Sequence, residues 1–444
     1  MKQLYGEQTK LAEENFRLGG RKVNAGLIYA MIQVKKAVAM TYQKLLPEKK
    51  ELYQAMEKAC EVVLAGKESG KIADVPFTEV FITDALQGGA GTSTHMNVNE
   101  VLAILTQEEL CKLHKVAKSG KTEQVHPLDD INRGQSTNDV YPTALRVAAI
   151  QKLRELSDEC AKLQTVLQEK ENQYDGIKKL GRTELMDALP ITLGNEFGAY
   201  AQAIARDRWR LYKVEERLRQ TNLGGTAVGT GQGNSHKYQA MVIENLREIT
   251  GIGLARAEYP MDMTQNQDVF VEVSGLLKAL AVNLMKIAND LRLMNSGPNG
   301  GFGEIRLAKM QAGSTIMPGK VNPVMAEMTM QVSMKVMAND TAIAMAAAHG
   351  EFELNAFLPL VAECLLESLE LLTGTVQLFR GKCVKTLEAQ EGRCKELLEG
   401  SHAFATRYTQ NLGYDKVAEV IEEYGGDFRG IKEKLRELSG EENQ

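Results

Sequence analysis

The sequence predicts an all-α protein built on a bundle of long helices. Three observations carry that expectation. Apolar residues recur at three- and four-residue steps through long windows. β signals are confined to two short pieces. Each of three polar loops ends where a long helical pattern begins. One apolar stripe runs through Leu145, Ala149, Leu153, Leu156, Cys160, Leu163 and Leu167, and a second through Val269, Val273, Leu276, Leu280, Leu284, Ile287 and Leu291. Further long helices are expected from Val324 through Ala347, from Leu360 to Arg380, and between Gly194 and Arg219, where the only tryptophan, Trp209, sits. Helices of roughly 20–30 residues reach about 30–45 Å. That length suits an elongated bundle, and its stripes bury more fully when copies of the chain share it.

At 444 residues the chain exceeds what one core usually serves. The change of character along it divides an N-terminal helical domain (1–135), a central long-helix domain (136–382) and a small C-terminal helical domain (383–444). A hydrophobic content of 43% and a charged content of 25% read as an ordinary globular protein. The net charge of −5 excludes a dedicated nucleic-acid binder. Six cysteines are scattered with no C-x-x-C pair, which leaves zinc and redox motifs unsupported and fits free thiols in a reducing compartment. The start M-K-Q-L-Y-G-E-Q-T lacks a signal-peptide core, and no run approaches the ~18 apolar residues of a membrane span. A cytoplasmic protein without a membrane partner is the expectation.

In chain order, residues 1–20 read as irregular up to Glu14 and Asn15. Gly26–Tyr42 is a first helix, with Leu27, Met31, Val34 and Val38 near one face, and Leu52–Ala65 a second. The first polar loop, 85–94, precedes a helix expected over Asn97–Lys118, and the second spans His126–Asp139. Ile177–Leu180 and Leu189–Thr192 are candidates for a hairpin. Beyond Gly381 helices shorten, with Gly400, Gly413 and Gly425-Gly426 as punctuation, and Ser439–Gln444 is a polar tail.

The third polar loop, Gly313-Ser314-Thr315-Ile316-Met317-Pro318-Gly319-Lys320-Val321-Asn322-Pro323, is the most informative stretch. Its glycines leave main-chain N–H groups uncovered, and its prolines stiffen both flanks. An anion approaching it would meet N–H donors, Lys320 and Asn322 together. Ser314 would be a hydroxyl in an electropositive setting, as a proton-abstracting alkoxide requires. A surface turn leading into a helix at Val324 is the plainer reading. Thr92, Ser93, Thr94, Ser136, Thr137, Asn138, Thr315 and Asn322 are uncharged donors at helix starts. Singly each reads as a helix cap; together they read as one anion site assembled from distant segments. His95 and His126 lie in these loops without H-x-x-H spacing, so no metal is assigned. Arg182 and Glu184 read by themselves as exposed strand residues.

With these loops in view, the chain resembles the fumarase/aspartase superfamily. The pieces that carry the resemblance are G-A-G-T-S-T-H-M-N-V-N-E (Gly89–Glu100), H-P-L-D-D-I-N-R-G-Q-S-T-N-D (His126–Asp139), G-R-T-E-L-M-D-A-L-P-I-T-L-G (Gly181–Gly194) and G-S-T-I-M-P-G-K-V-N-P (Gly313–Pro323). The likeness runs from Leu4 into the last domain. It implies an all-α, three-domain subunit and a homotetramer that shares a central helix bundle, with each site drawing on three subunits. The implied reaction is reversible anti elimination from a succinyl compound to fumarate through an aci-carboxylate carbanion, without a cofactor. Carried over by position, Ser314 is the base, and Thr92, Ser136, Thr137, Asn138 and Thr315 bind substrate. Thr183, Lys320 and Asn322 hold a carboxylate, and the Ser314 loop closes over the ligand.

Three features depart from that pattern. Glu184 stands where fumarases carry a histidine coupled to a carboxylate at the position of Glu327. Ala90 replaces a frequent hydroxyl, and the N-terminus is compact. Two facing carboxylates resist joint ionisation unless a cation sits between them. The departing group is then expected to carry positive charge or donors, as aspartate's ammonium does. The plainer alternative turns Glu184 away to pair with Arg182 or another basic residue. The leading reading is a carbon–nitrogen lyase acting on aspartate, a small anionic amino acid. The alternatives are a lyase acting on a larger N-substituted aspartate or on malate, and a non-catalytic structural member.

Overall fold

The computed structural model describes residues 3–114 and 124–440. It is helical throughout, and its strands are short two-stranded pieces. The long apolar stripes form helices Thr137–Gln173, Leu193–Leu218, Asp268–Met294, Val324–Ala347 and Leu358–Phe379. Every residue of the Leu145–Leu167 stripe is buried. In the second stripe Leu277 is buried where Leu276 is half-buried, a one-position turn of the face. Among the described residues no helix is long and apolar enough to cross a membrane. All six cysteines are buried and unpaired.

By packing, the described residues form two compact units, each of three segments. One comprises the described residues up to Ser157 with Trp209–Ala279 and Met334–Leu372. Its helix Ala25–Leu45 packs on helices Lys50–Ser69 and His236–Thr250. Asn24 caps it by accepting the Gly26 N–H at 2.8 Å, and Tyr42 lies 5.1 Å from Tyr53 and 5.0 Å from Tyr238, ring to ring. Helix Thr92–Leu113 packs on Lys50–Ser69. It starts five residues before the expected Asn97, and the end expected at Lys118 lies outside the described residues.

The irregular start expected for residues 1–20 is corrected: Glu7–Asn15 is a helix. Its own N-cap is Gly6, with no side chain to offer. The cap comes instead from Glu100, whose carboxylate accepts the N–H groups of Gly6 (2.9 Å), Gln8 (2.9 Å) and Thr9 (3.1 Å) and the Thr9 hydroxyl (2.6 Å). A carboxylate at a helix N-terminus satisfies orphan donors and meets the positive end of the dipole.

The second unit comprises Asp158–Arg208, Leu280–Ser333 and the described residues from Thr373 on. The expected hairpin is present, Lys178–Thr183 against Met186–Thr192, antiparallel with Lys178 opposite Thr192. Its root is held by buried charge. The Lys179 ammonium lies 2.8 Å from both Glu196 and Glu304, and the Arg182 guanidinium lies 2.9 Å from Glu304 and stacks 4.2 Å over the Phe302 ring. Lys179 is 1% exposed and Glu304 0%. The pairing of Glu184 with Arg182 is corrected here, because Arg182 is engaged by Glu304 and is half-buried. The short C-terminal helices Tyr414–Tyr424 and Phe428–Ser439 enclose their own small core of Ala405, Tyr408, Val417, Val420, Ile431 and Leu435.

Glu304 serves two cations at once, so its removal leaves Arg182 without its carboxylate and Lys179 with Glu196 alone. Glu304→Ala is expected to lower unfolding free energy by about 3–5 kcal/mol in urea. A change within about 0.5 kcal/mol would show that the cluster does not hold the hairpin root.

Candidate active site

In the first unit the loop before helix Thr92–Leu113 runs through left-handed backbone at Gly89 (φ 79°), Ala90 (57°) and Gly91 (94°). Gly91 is required twice over. Its φ disfavours a side chain, and a Cβ there would lie 2.4 Å from the Tyr141 ring. That close approach sets Thr92 beside Thr137, the first residue of helix Thr137–Gln173, with hydroxyls 3.3 Å apart. Thr92 Oγ1 also reaches the Gly89 carbonyl at 2.8 Å, and Thr137 Oγ1 lies 2.9 Å from His95 Nδ1. Ser136 and Asn138 flank Thr137: the Ser136 hydroxyl accepts the Asn138 N–H at 3.2 Å, and the Asn138 amide donates to the Ala227 carbonyl at 2.7 Å.

Asp139 organises this corner. One carboxylate oxygen accepts the Ser136 N–H at 3.0 Å, and the other accepts the N–H groups of Gly224 (3.1 Å) and Thr226 (3.0 Å). The glycine-rich segment Gly224–Gly233 is thus part of the corner. Sequence reasoning missed it, although five glycines in ten residues were the available signal. Lys35, on the buried face of helix Ala25–Leu45, holds the same loop by donating to Asn132 (3.0 Å) and Gln135 (2.9 Å). His126 acts as a cap, its Nδ1 accepting the N–H groups of Leu128 and Asp129.

Burial governs the charges here. It pushes the Asp139 carboxyl up to about 7 against the pull of its three backbone donors and of Lys35, and it pushes Lys35 down to about 7. His95 is held well below its ordinary value by burial and then by Lys35, so it is neutral.

In the second unit, loop Gly313–Pro323 is pinched at its base. A Cβ on Gly313 would lie 1.5 Å from the Lys320 carbonyl oxygen, and the Asn322 amide donates to the Gly313 carbonyl at 2.7 Å. Inside the loop, Ser314 Oγ accepts the Met317 N–H at 2.9 Å and the Ile316 N–H at 3.2 Å. Thr315 and Lys320 are exposed. Glu327, in the first turn of helix Val324–Ala347, has Arg292 at 3.9 Å. Thr183 closes the hairpin strand, and Glu184 and Leu185 form its two-residue turn at φ 55° and 63°. Such a turn matches the twist of a hairpin but usually takes Asn-Gly, so Glu and Leu are strained there. Among the described residues no hydrogen bond or ion pair engages the Glu184 side chain, and none joins the hairpin tip to the Ser314 loop.

The Asp139 shift fixes a pH dependence. The folded chain keeps this proton to about 7, whereas an ordinary carboxyl releases it near 3.8. The folded state therefore binds the extra proton between those values, and stability falls as pH rises from about 4 through about 7. Lys35 gives the opposite slope above about 7, where the unfolded chain binds the extra proton up to 10.5. Asp139→Asn mimics the protonated form. Relative to wild type, its unfolding free energy should improve by about 1–3 kcal/mol between pH 4 and pH 8. A difference that stays flat over that range would place the titration elsewhere.

Comparison with known proteins fits this geometry. A family of lyases matches residues 1–338. The chain is 39% identical to an aspartate ammonia-lyase of Bacillus subtilis (strain 168) over 419 residues, 94% of this chain and 85% of that protein. It is 40% identical to a class II fumarate hydratase of Corynebacterium efficiens over 437 residues, 98% of this chain and 88% of that protein. Among solved structures, a fumarate lyase:delta crystallin from Brucella melitensis superposes with a TM-score of 0.90 at 38% identity, covering 99% of this chain and 95% of that one. A class II fumarase from Schistosoma mansoni gives a TM-score of 0.90 at 29% identity, covering 98% and 92%. A family match over most of the chain, with relatives this similar along nearly their whole length, establishes that the chain belongs to these lyases, the fumarase/aspartase superfamily.

Proposed function

We propose that the protein is a carbon–nitrogen lyase that eliminates ammonia from aspartate to give fumarate, reversibly and without a cofactor. The observation that carries the reading is the Ser314 hydroxyl, whose oxygen faces two backbone N–H groups in a loop pinched shut by Gly313 and Asn322. The aspartate ammonia-lyases among its relatives support aspartate as the substrate.

In this reading Ser314, its hydroxyl proton given up to solvent as the ligand binds, takes as an alkoxide the proton from the carbon next to one carboxylate. The C–H electron pair moves into that carboxylate, which becomes a doubly negative aci-carboxylate. The pair then returns to form the C=C bond as the C–N bond breaks and the amine departs. Hydrogen bonds to charged groups are worth about 1.5–3 kcal/mol each, so donors that tighten as charge develops lower the barrier. Thr92, Ser136, Thr137 and Asn138 supply such donors, while Thr183, Thr315, Lys320 and Asn322 hold carboxylate oxygens. We propose a homotetramer of three-domain subunits (1–135, 136–382, 383–444) that brings the donor corner, the hairpin tip and the Ser314 loop together from three copies, in a cytoplasmic setting.

A second reading, a larger amine on the aspartate nitrogen, is favoured by Glu184, an exposed carboxylate in a strained turn. Glu327 already has a cation nearby in Arg292, so an amine could be the countercharge of Glu184.

Fumarate absorbance, followed with aspartate, N-substituted aspartates and malate, discriminates these readings. Aspartate or an N-substituted aspartate is expected to be the best substrate, and Ser314→Ala to lower kcat by about 10²–10⁴-fold. Malate as the best substrate would reverse the assignment of the leaving group. Equal activity of wild type and Ser314→Ala would remove Ser314 as the base, and silence of both on every compound would favour the structural role.

A further inference from the structure

His95 is not used by the mechanism above, yet it touches one of its donors. It is 1% exposed, its Nδ1 lies 2.9 Å from Thr137 Oγ1, and its Nε2 is buried without a partner among the described residues. The proton inventory of this small chain decides how Thr137 can act. Thr92 has one hydroxyl proton and two acceptors in reach, the Gly89 carbonyl at 2.8 Å and Thr137 Oγ1 at 3.3 Å. The shorter bond takes it, since O–H···O bonds cluster near 2.7–2.8 Å. Thr137 also has one proton. If His95 Nδ1 is bare, that proton points inward to the ring, and Thr137 offers an incoming anion only lone pairs. If His95 Nδ1 carries the proton, the ring donates to Thr137 Oγ1, and the Thr137 proton is free to point outward.

The orphaned Nε2 decides between the two. A buried N–H without an acceptor is rarer and costlier than a buried acceptor without a donor. A neutral ring with one partnered nitrogen therefore keeps its proton on that nitrogen, Nδ1. Protonating the whole ring would orphan an N–H at Nε2, and burial together with the Lys35 charge disfavours that form.

We propose that His95 is a positioning residue: as the Nδ1–H tautomer it donates to the Thr137 hydroxyl, which turns the Thr137 proton toward the substrate's carboxylate. This rests on the reading that Thr137 binds a substrate carboxylate. In the long 3.3 Å contact Thr92 is the donor and Thr137 Oγ1 the acceptor, so that contact does not occupy the Thr137 proton.

The test is a double-mutant cycle on the full-length protein, with aspartate turnover and succinate binding as separate readouts. His95→Leu cannot donate and is expected to lower kcat/KM at least tenfold and to weaken succinate binding. His95→Gln retains an N–H donor and is expected to recover most of both. In a Thr137→Val background, His95→Leu is expected to cost less than threefold more, because its partner is already gone. Equal losses in His95→Leu and His95→Gln, or an undiminished loss in the Thr137→Val background, would overturn the proposal. Wild type silent on aspartate, with succinate binding still following the expected cycle, would reject the reaction and keep the role of His95. If His95→Leu does not fold, ring-nitrogen spectra of ¹⁵N-histidine-labelled wild type decide. A bare Nε2 and a protonated Nδ1 support the proposal, and a proton on Nε2 overturns it.

Discussion

A carboxylate that never meets water sets the shape of the donor corner. Asp139 accepts three backbone N–H groups, one from its own loop and two from the Gly224–Thr226 turn. Burying it is costly, and the three bonds offset only part of the cost, which is why its proton affinity rises so far. Yet the arrangement is specific. Moving the Gly224 turn would strand a buried charge, so the turn, Ser136 and the Ala227 carbonyl that receives Asn138 stay in one register. The chain spends burial free energy gained elsewhere on fixing where its neutral donors point. Such prior fixing makes neutral donors useful, because no reorganisation is then required as negative charge develops.

The same device, a buried carboxylate, recurs in the other unit with charged side chains as its donors. There two cations, Lys179 and Arg182, are drawn to Glu304, and the hairpin that ends in Thr183 and Glu184 is rooted on them. The strained turn at its tip is tolerable only because the root is over-determined: each left-handed non-glycine residue costs on the order of 1 kcal/mol. Loop 313–323 is built differently. Among the described residues nothing buried and charged anchors it; its base is closed by a close backbone approach at Gly313 and an amide bond from Asn322, and its inside by the N–H groups that Ser314 Oγ accepts.

How far the sequence discloses all this follows from the range of each interaction. Helices whose stripes bury along one face are legible, and Val324–Ala347 was read with both ends in place because Pro323 stops the loop and the apolar pattern starts at once. Helix Glu7–Asn15 was illegible because its cap, Glu100, is 91 residues from Thr9 and its own residues are mostly polar. The role of Arg182 was hidden likewise, since its partner Glu304 is 122 residues away while Glu184 is close in sequence. The polar loops were legible as loops from their glycines and hydroxyls, but proton direction within them was not. A lone histidine such as His95 carries no periodic signal, and the role proposed for it rests on a contact with Thr137 beside the left-handed turn through Gly91.

Magnitudes show what the Ser314 loop can do by itself. An aliphatic hydroxyl is about as weak an acid as water. Two backbone donors strengthen when their acceptor becomes charged, each by about 1 kcal/mol beyond a neutral hydrogen bond. Together they stabilise the charged form by about 2 kcal/mol. An ammonium brought to about 4 Å at an effective dielectric near 20 adds about 4 kcal/mol. The sum still falls short of ionising an aliphatic hydroxyl at neutral pH. An exposed loop with Lys320 in solvent cannot therefore hold a standing alkoxide; the base strength proposed for Ser314 would be assembled with the ligand, when water is excluded and the same donors act at lower dielectric. Selectivity follows from that dependence. A molecule that does not draw the Ser314 loop and its ammonium together meets only an ordinary serine.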